Sequence, residues 1–129
     1  MIDLATLTGA AVIALGSHAT AAMSTAEPTV LAQLTAAGDR THERIAELPL
    51  WDEYGEMIKS DVADIKNIGG KGAGTITAGK FLQRFTDYPW IHLDIAGTAY
   101  LEAPLGWKPK YATGTGVRLL HEFLAHYSA

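Results

Sequence analysis

The stretch Trp90-Ile91-His92-Leu93-Asp94-Ile95-Ala96-Gly97-Thr98 decides the fold. Residues 90–95 alternate and carry β-branched and aromatic side chains, so they read as a strand. Ala96-Gly97-Thr98 breaks it. Working outward, Ile2 to Leu7 reads as a second short strand, ended by Thr8-Gly9. Residues 10–15 are apolar and fit either a strand or a helix. Between and beyond these the spacing is helical. Thr25 is a candidate N-cap, Pro28 fits a first turn, and Val30, Leu31, Leu34 and Ala37 keep helical spacing up to Gly38. Further helices are predicted over 41–46, over 51–59 with Trp51, Tyr54 and Ile58 on one face, and over 75–85 with Ile76, Phe81, Leu82 and Phe85 apolar. The last, over 116–127, has Val117, Leu120 and Leu124 along one stripe. Residues 100–115, with Pro104 and Pro109, read as a long loop. Strands separated by helices argue an α/β domain with at least part of its sheet parallel. Two or three clear strands are few for a self-sufficient sheet of this kind.

The 129 residues suit one domain, 1–129. With 48% hydrophobic and 19% charged residues, the composition excludes disorder of the polar kind. Ten basic against 14 acidic residues leave no excess to neutralise a phosphate backbone, so a nucleic-acid partner is not expected. The absence of cysteine excludes disulfide scaffolds and thiolate metal sites. The longest apolar stretch, 10–16, is far short of the roughly 20 residues of a membrane span, so no membrane partner is expected either. Asp3 stands where a secretory leader needs positive charge, and no basic residue precedes Arg40. A domain that begins inside a strand suggests a fragment.

Several motifs could carry chemistry. Gly69 and Gly74 have the glycine spacing of a phosphate-binding loop, but Thr75 stands where its lysine belongs, and Lys71 lies inside the loop. His121 and His126 are one residue too far apart for an HExxH metal pair, and point roughly 140° apart on a helix. His92 and Asp94 share a strand face and could form an acid–base or ligand–orienter couple, or merely satisfy each other. Asp61 and Asp64 could bridge a hard cation or charge the start of a helix. No G-x-S-x-G nucleophile elbow occurs.

Taken together the blocks are more specific. Asp3-Leu4-Ala5-Thr6-Leu7-Thr8-Gly9-Ala10 resembles the D-x-A-T-L-T-G-A segment of the leucyl aminopeptidase family, the dinuclear metallopeptidases also called cytosol aminopeptidases. Leu48-Pro49-Leu50 with Tyr54 matches its L-P-L…Y signature. Ser60, Ala63-Asp64, Asn67 and Gly69-Gly70 match S-x-x-A-D-x-x-N-x-G-G. Thr77-Ala78 with Phe81-Leu82, then Trp90 and His92 to Thr98, then Ala112-Thr113-Gly114 with Val117-Arg118, follow in the family's order.

This resemblance implies the C-terminal portion of a mixed β-sheet flanked by helices, from a catalytic domain that is incomplete here. It implies a cytoplasmic metal-dependent exopeptidase that releases N-terminal residues from peptides, with two divalent ions (Mn or Zn) in the intact enzyme, and a homohexamer. The family's metal ligands and catalytic Lys and Arg lie in an upstream segment, so this chain alone is expected to bind no metal, to hold no catalytic residue and to be inactive. What carries over is the substrate side of the cleft. The backbone of Leu7 and Gly9, with Thr6 and Thr8 on the same turn, would bind the substrate main chain. Ala96 and Ala99 would line the pocket for its first side chain. His92, Asp94, Asp61 and Asp64 would then be supporting residues rather than ligands. Three positions depart from the family: Ala46 at a common Trp, His42 at a usual Gly (with Gly38-Asp39-Arg40 offering a similar turn just before), and Tyr111 where Gly precedes A-T-G. Two other classes stay open: a non-catalytic binding or assembly module of the same fold, and an anion-binding domain using the loop at 69–75.

Overall fold

The structure, a computed structural model, describes residues 1–128. Its main sheet holds β1 (Ile2–Ala5), β2 (Thr20–Ser24), β3 (Ile45–Glu47) and β4 (Ile91–Asp94), in the order β1-β4-β2-β3. β1 runs parallel to β4, while β2 is antiparallel to β4 and parallel to β3. This is the mixed α/β architecture expected. The helices are α1 (Gly9–Leu15), α2 (Pro28–Thr41), α3 (Asp52–Glu56), α4 (Gly74–Gln83) and α5 (Val117–His126). A small hairpin, β5 (Tyr100–Leu101) with β6 (Tyr111–Ala112), stands apart from the main sheet.

The pleat sorts the strands' side chains onto two faces. Ala22, Ile91 and Leu93 point to one face, with Ile2 and Leu4 partly buried beside them. There they meet Leu31, Leu34 and Ala37 of α2 and Leu119 and Phe123 of α5, forming the hydrophobic core. Leu34 and Leu93 are wholly buried, each worth about 1.5–3 kcal/mol. Asp3, Ala5, Met23, His92 and Asp94 point to the other face. α4 approaches it closely at Gly79, where a Cβ would come within 2.5 Å of the Met23 sulfur.

Several expectations change. Residues 10–15 are helical, because Thr8 caps α1 with its hydroxyl on the Ala11 N–H (3.0 Å). Residues 41–46 are not a helix: α2 runs through Gly38 to Thr41, His42 turns the chain at φ 56°, and β3 follows. The turn thus falls at His42, not at Gly38. Thr25 does not cap α2. It pairs with Trp90 instead, its N–H on the Trp90 carbonyl (2.8 Å) and its hydroxyl accepting from the Trp90 N–H (3.1 Å). The 100–115 loop contains the β5–β6 hairpin. On α5 the buried stripe is Leu119 and Phe123, while Val117 and Leu124 are exposed. Phe85 and Trp51 are exposed as well, the latter stacked on Tyr54 with ring centres 6.0 Å apart.

Candidate functional site

At the carboxyl ends of β1 and β4, two turns meet around one side chain. Asp94, 1% exposed, ends β4. Its Oδ1 accepts from the backbone N–H groups of Leu7 (3.2 Å), Thr8 (3.4 Å) and Ala96 (3.1 Å). Its Oδ2 accepts the Thr8 hydroxyl at 2.6 Å. A carboxylate only accepts, so the Thr8 proton is committed to Asp94. The 3.0 Å contact between the hydroxyls of Thr8 and Thr75 is therefore a donation from Thr75. The Thr8 oxygen also accepts from Ala11, so it is saturated within the protein and holds the turn in place.

The consequence is an orientation of backbone. Every peptide bond among the described residues is trans, so each C=O points opposite to the N–H of its own unit. The N–H groups of Leu7 and Thr8 face Asp94, hence the carbonyls of Thr6 and Leu7 face away from it. Gly9 opens α1, where the first N–H groups of a helix lack intrahelical partners. Nothing lies within 4 Å of a Cβ built on Gly9. Thr6, Leu7 and Gly9 are exposed. A strand-end turn of this kind offers two outward carbonyl acceptors and, at Gly9, a first helical N–H without an intrahelical partner, groups suited to a peptide main chain.

Five of the six residues expected at the site gather here: Thr6, Leu7, Thr8, Gly9 and, through its N–H, Ala96. Ala99 is bonded elsewhere, its N–H to the Ile95 carbonyl (2.9 Å) and its carbonyl to the Thr113 N–H (3.1 Å). Gly97 packs hard against the far end of α1, where a Cβ would come within 2.0 Å of the Gly16 carbonyl oxygen. The 96–98 turn and α1 are thus locked together at both ends of the helix. A surface cavity of about 950 Å³ lies between α3, α4 and residues 86–89, and none of the six lines it.

His92 and Asp94 share a face, as the alternation predicts, but serve different partners. The His92 Nδ1–H donates to Asp3 Oδ1 (2.7 Å), and the Trp90 indole donates to Asp3 Oδ2 (2.5 Å). His92 Nε2 is buried without a partner among the described residues. Asp61 and Asp64 are exposed on irregular backbone, and His121 and His126 are exposed on α5. Among the described residues, no group of three or more His, Asp or Glu could hold a metal ion. Asp94 is already fully engaged, so the residues present do not fit the two metals that the resemblance implies. Sequence reasoning placed Asp94 among the supporting residues without finding which turns it joins, and missed Thr75. For Asp94 a local signal existed: an Asp two residues before a backbone N–H at a strand end, as in an Asx turn. For Thr75 there was none.

No helix among the described residues is long and apolar enough to cross a membrane. The family model described as cytosol aminopeptidase family, catalytic domain, matches residues 1–121. The probable cytosol aminopeptidase of Geobacter sulfurreducens is 58% identical over 125 residues, covering 96% of this chain and 25% of that protein. That of Protochlamydia amoebophila is 50% identical over 130 residues, covering 99% and 26%. Among solved structures, the bottromycin maturation enzyme BotP in complex with Mn superposes at a TM-score of 0.89 and 39% identity, over 95% of this chain and 28% of that one. A mutant of tomato leucine aminopeptidase superposes at 0.88 and 36% identity, over 98% and 24%. The chain spans about a quarter of the length of the curated relatives it matches.

Proposed function

The chain belongs to the cytosol aminopeptidase family, and on that premise we propose that it supplies the substrate-facing turn of a peptidase that releases N-terminal residues from peptides. The observation that carries this reading is the turn itself: the Leu7 carbonyl turned away from Asp94, beside the exposed Gly9 that opens α1 with its N–H outside the intrahelical ladder. In the proposal the Leu7 carbonyl accepts from a substrate N–H. The Gly9 N–H donates to a substrate carbonyl, with Thr6 and Thr8 forming the rest of the turn. Ala96 and Ala99 border the pocket for the first side chain, where small residues leave room for an apolar group. The divalent ions of such an enzyme, Mn or Zn, are proposed to sit on residues outside this chain, in an upstream catalytic segment, and no residue here is assigned to them. A cytoplasmic homohexamer is proposed for the complete protein on the family resemblance alone.

The test is peptide hydrolysis by the complete gene product supplied with Mn²⁺, read by chromatography of the released amino acids. Stepwise release from the free N-terminus, and none from the N-acetylated peptide, is expected. The 129-residue chain alone is expected to release nothing under the same conditions. Internal cleavage, or no release by the complete product, would overturn the reading.

A further inference from the structure

Asp94 lies under both turns of the proposed site and does not reach the open space. Its four accepted hydrogen bonds come from the β1–α1 turn (Leu7 N–H, Thr8 N–H and Thr8 hydroxyl) and from the turn after β4 (Ala96 N–H). Thr75, at the start of α4, adds a third element through the Thr8 hydroxyl. Buried charge is costly unless its lone pairs are filled, and here they are. An apolar residue would serve packing alone at lower cost. What the carboxylate does that an apolar side chain cannot is aim peptide planes: two N–H groups inward, and therefore two carbonyls outward.

We infer that Asp94 is a positioning residue for substrate binding: one carboxylate orients the Leu7 carbonyl and fixes the distance between the main-chain turn at 6–9 and the side-chain turn at 96–99. This rests on the function proposed above. Asp94 touches no substrate in this account and transfers no proton. It acts through the two turns it joins. Loosening it lets the Leu7 and Thr8 peptides rotate, and the substrate then has to restore their orientation when it binds.

The experiment is steady-state kinetics on leucine p-nitroanilide with the complete gene product loaded with Mn²⁺, comparing wild type, Asp94→Asn and Asp94→Ser. Asp94→Asn keeps the shape and loses the charge. Asp94→Ser leaves room for a water to take over the acceptor role. The expected result is a KM raised about tenfold or more with kcat within about threefold of wild type. A purely structural role lowers the folded fraction instead, which reduces apparent kcat and leaves KM alone. Wild-type KM in a folded variant would overturn the inference while leaving the proposed function standing. Failure of both variants to fold would place Asp94 in the framework and overturn it too. An inactive wild type would remove the proposed function itself, and this inference with it.

Discussion

His42 and Tyr111 adopt left-handed backbone, at φ 56° and 75°, and these are two of the positions where the family resemblance expects glycine. A side chain there opposes the following carbonyl, at a cost of about 1–2 kcal/mol. His42 is exposed at the end of α2 and makes no side-chain hydrogen bond among the described residues. His42→Gly is therefore expected to stabilise the protein by about 0.5–1 kcal/mol, read from the urea midpoint. Tyr111→Gly gains less, since Tyr111 packs on Tyr100 with ring centres 5.8 Å apart. Gly97 is the opposite case. A methyl group there collides with the Gly16 carbonyl, so Gly97→Ala is expected to cost about 1–3 kcal/mol. In the sequence Gly97 was legible as the end of a strand, but not as a contact, because its partner lies at the far end of α1. The same limit hid Thr75 from the site.

Among the elements, α5 carries the clearest lesson. Val117, Leu120 and Leu124 keep helical spacing, and so do Leu119 and Phe123, so periodicity leaves the rotation of the helix open. Glu43 settles it. Its side chain, 3% exposed, reaches from the connection before β3 and accepts the N–H groups of Gly116 (3.1 Å) and Leu119 (2.9 Å) and the Arg118 guanidinium (2.8 Å). It thus caps α5 from outside and fixes which stripe faces the core. Glu43→Ala is expected to lower stability by about 1–3 kcal/mol, as two buried N–H donors lose their acceptor. A second tie joins α5 to α2: the hydrogen bond from Arg40 (2.6 Å) holds the Glu122 carboxyl below its usual range. A lowered carboxyl contributes stability above the ordinary glutamate range and loses it as pH falls through the folded value. Glu122→Gln is expected to be slightly less stable than wild type at pH 7, and to converge with it in urea titrations as pH falls through the lowered folded value of Glu122. β2 was illegible for another reason. Thr20-Ala21-Ala22-Met23-Ser24 has little strand propensity, and becomes an inner strand because small side chains admit α4 above it and the core below.

For the whole molecule, the α/β class and the strands β1 and β4 were readable from alternation, but the order β1-β4-β2-β3 was not, since it depends on strands too short or too alanine-rich to recognise. β1 pairs only with β4 among the described residues and is half-buried along its length. Leu7 after β1 and Val12 and Ile13 on α1 are exposed, Ile13 by 90%. Open strand edges and exposed apolar side chains each favour association with other chains. The 129-residue chain expressed alone is expected to self-associate in size-exclusion chromatography, and to be rescued by co-expressing the upstream segment. A monodisperse monomer with a cooperative unfolding transition would mean that the segment is self-sufficient. The central claim, that residues 6–9 hold the substrate main chain, is tested most directly at Gly9. Apart from its chain neighbours and its own helix, nothing lies within 4 Å of a Cβ on Gly9, so Gly9→Val starts its added bulk in open space at the exposed turn. Ala32→Val, on the exposed side of α2, serves as the comparison. The measurement is kcat/KM for a leucyl peptide with both variants of the complete gene product, beside their urea midpoints. A loss of roughly 5- to 150-fold is expected for Gly9→Val at an unchanged midpoint, with Ala32→Val like wild type. Equal kcat/KM for the two variants would contradict it.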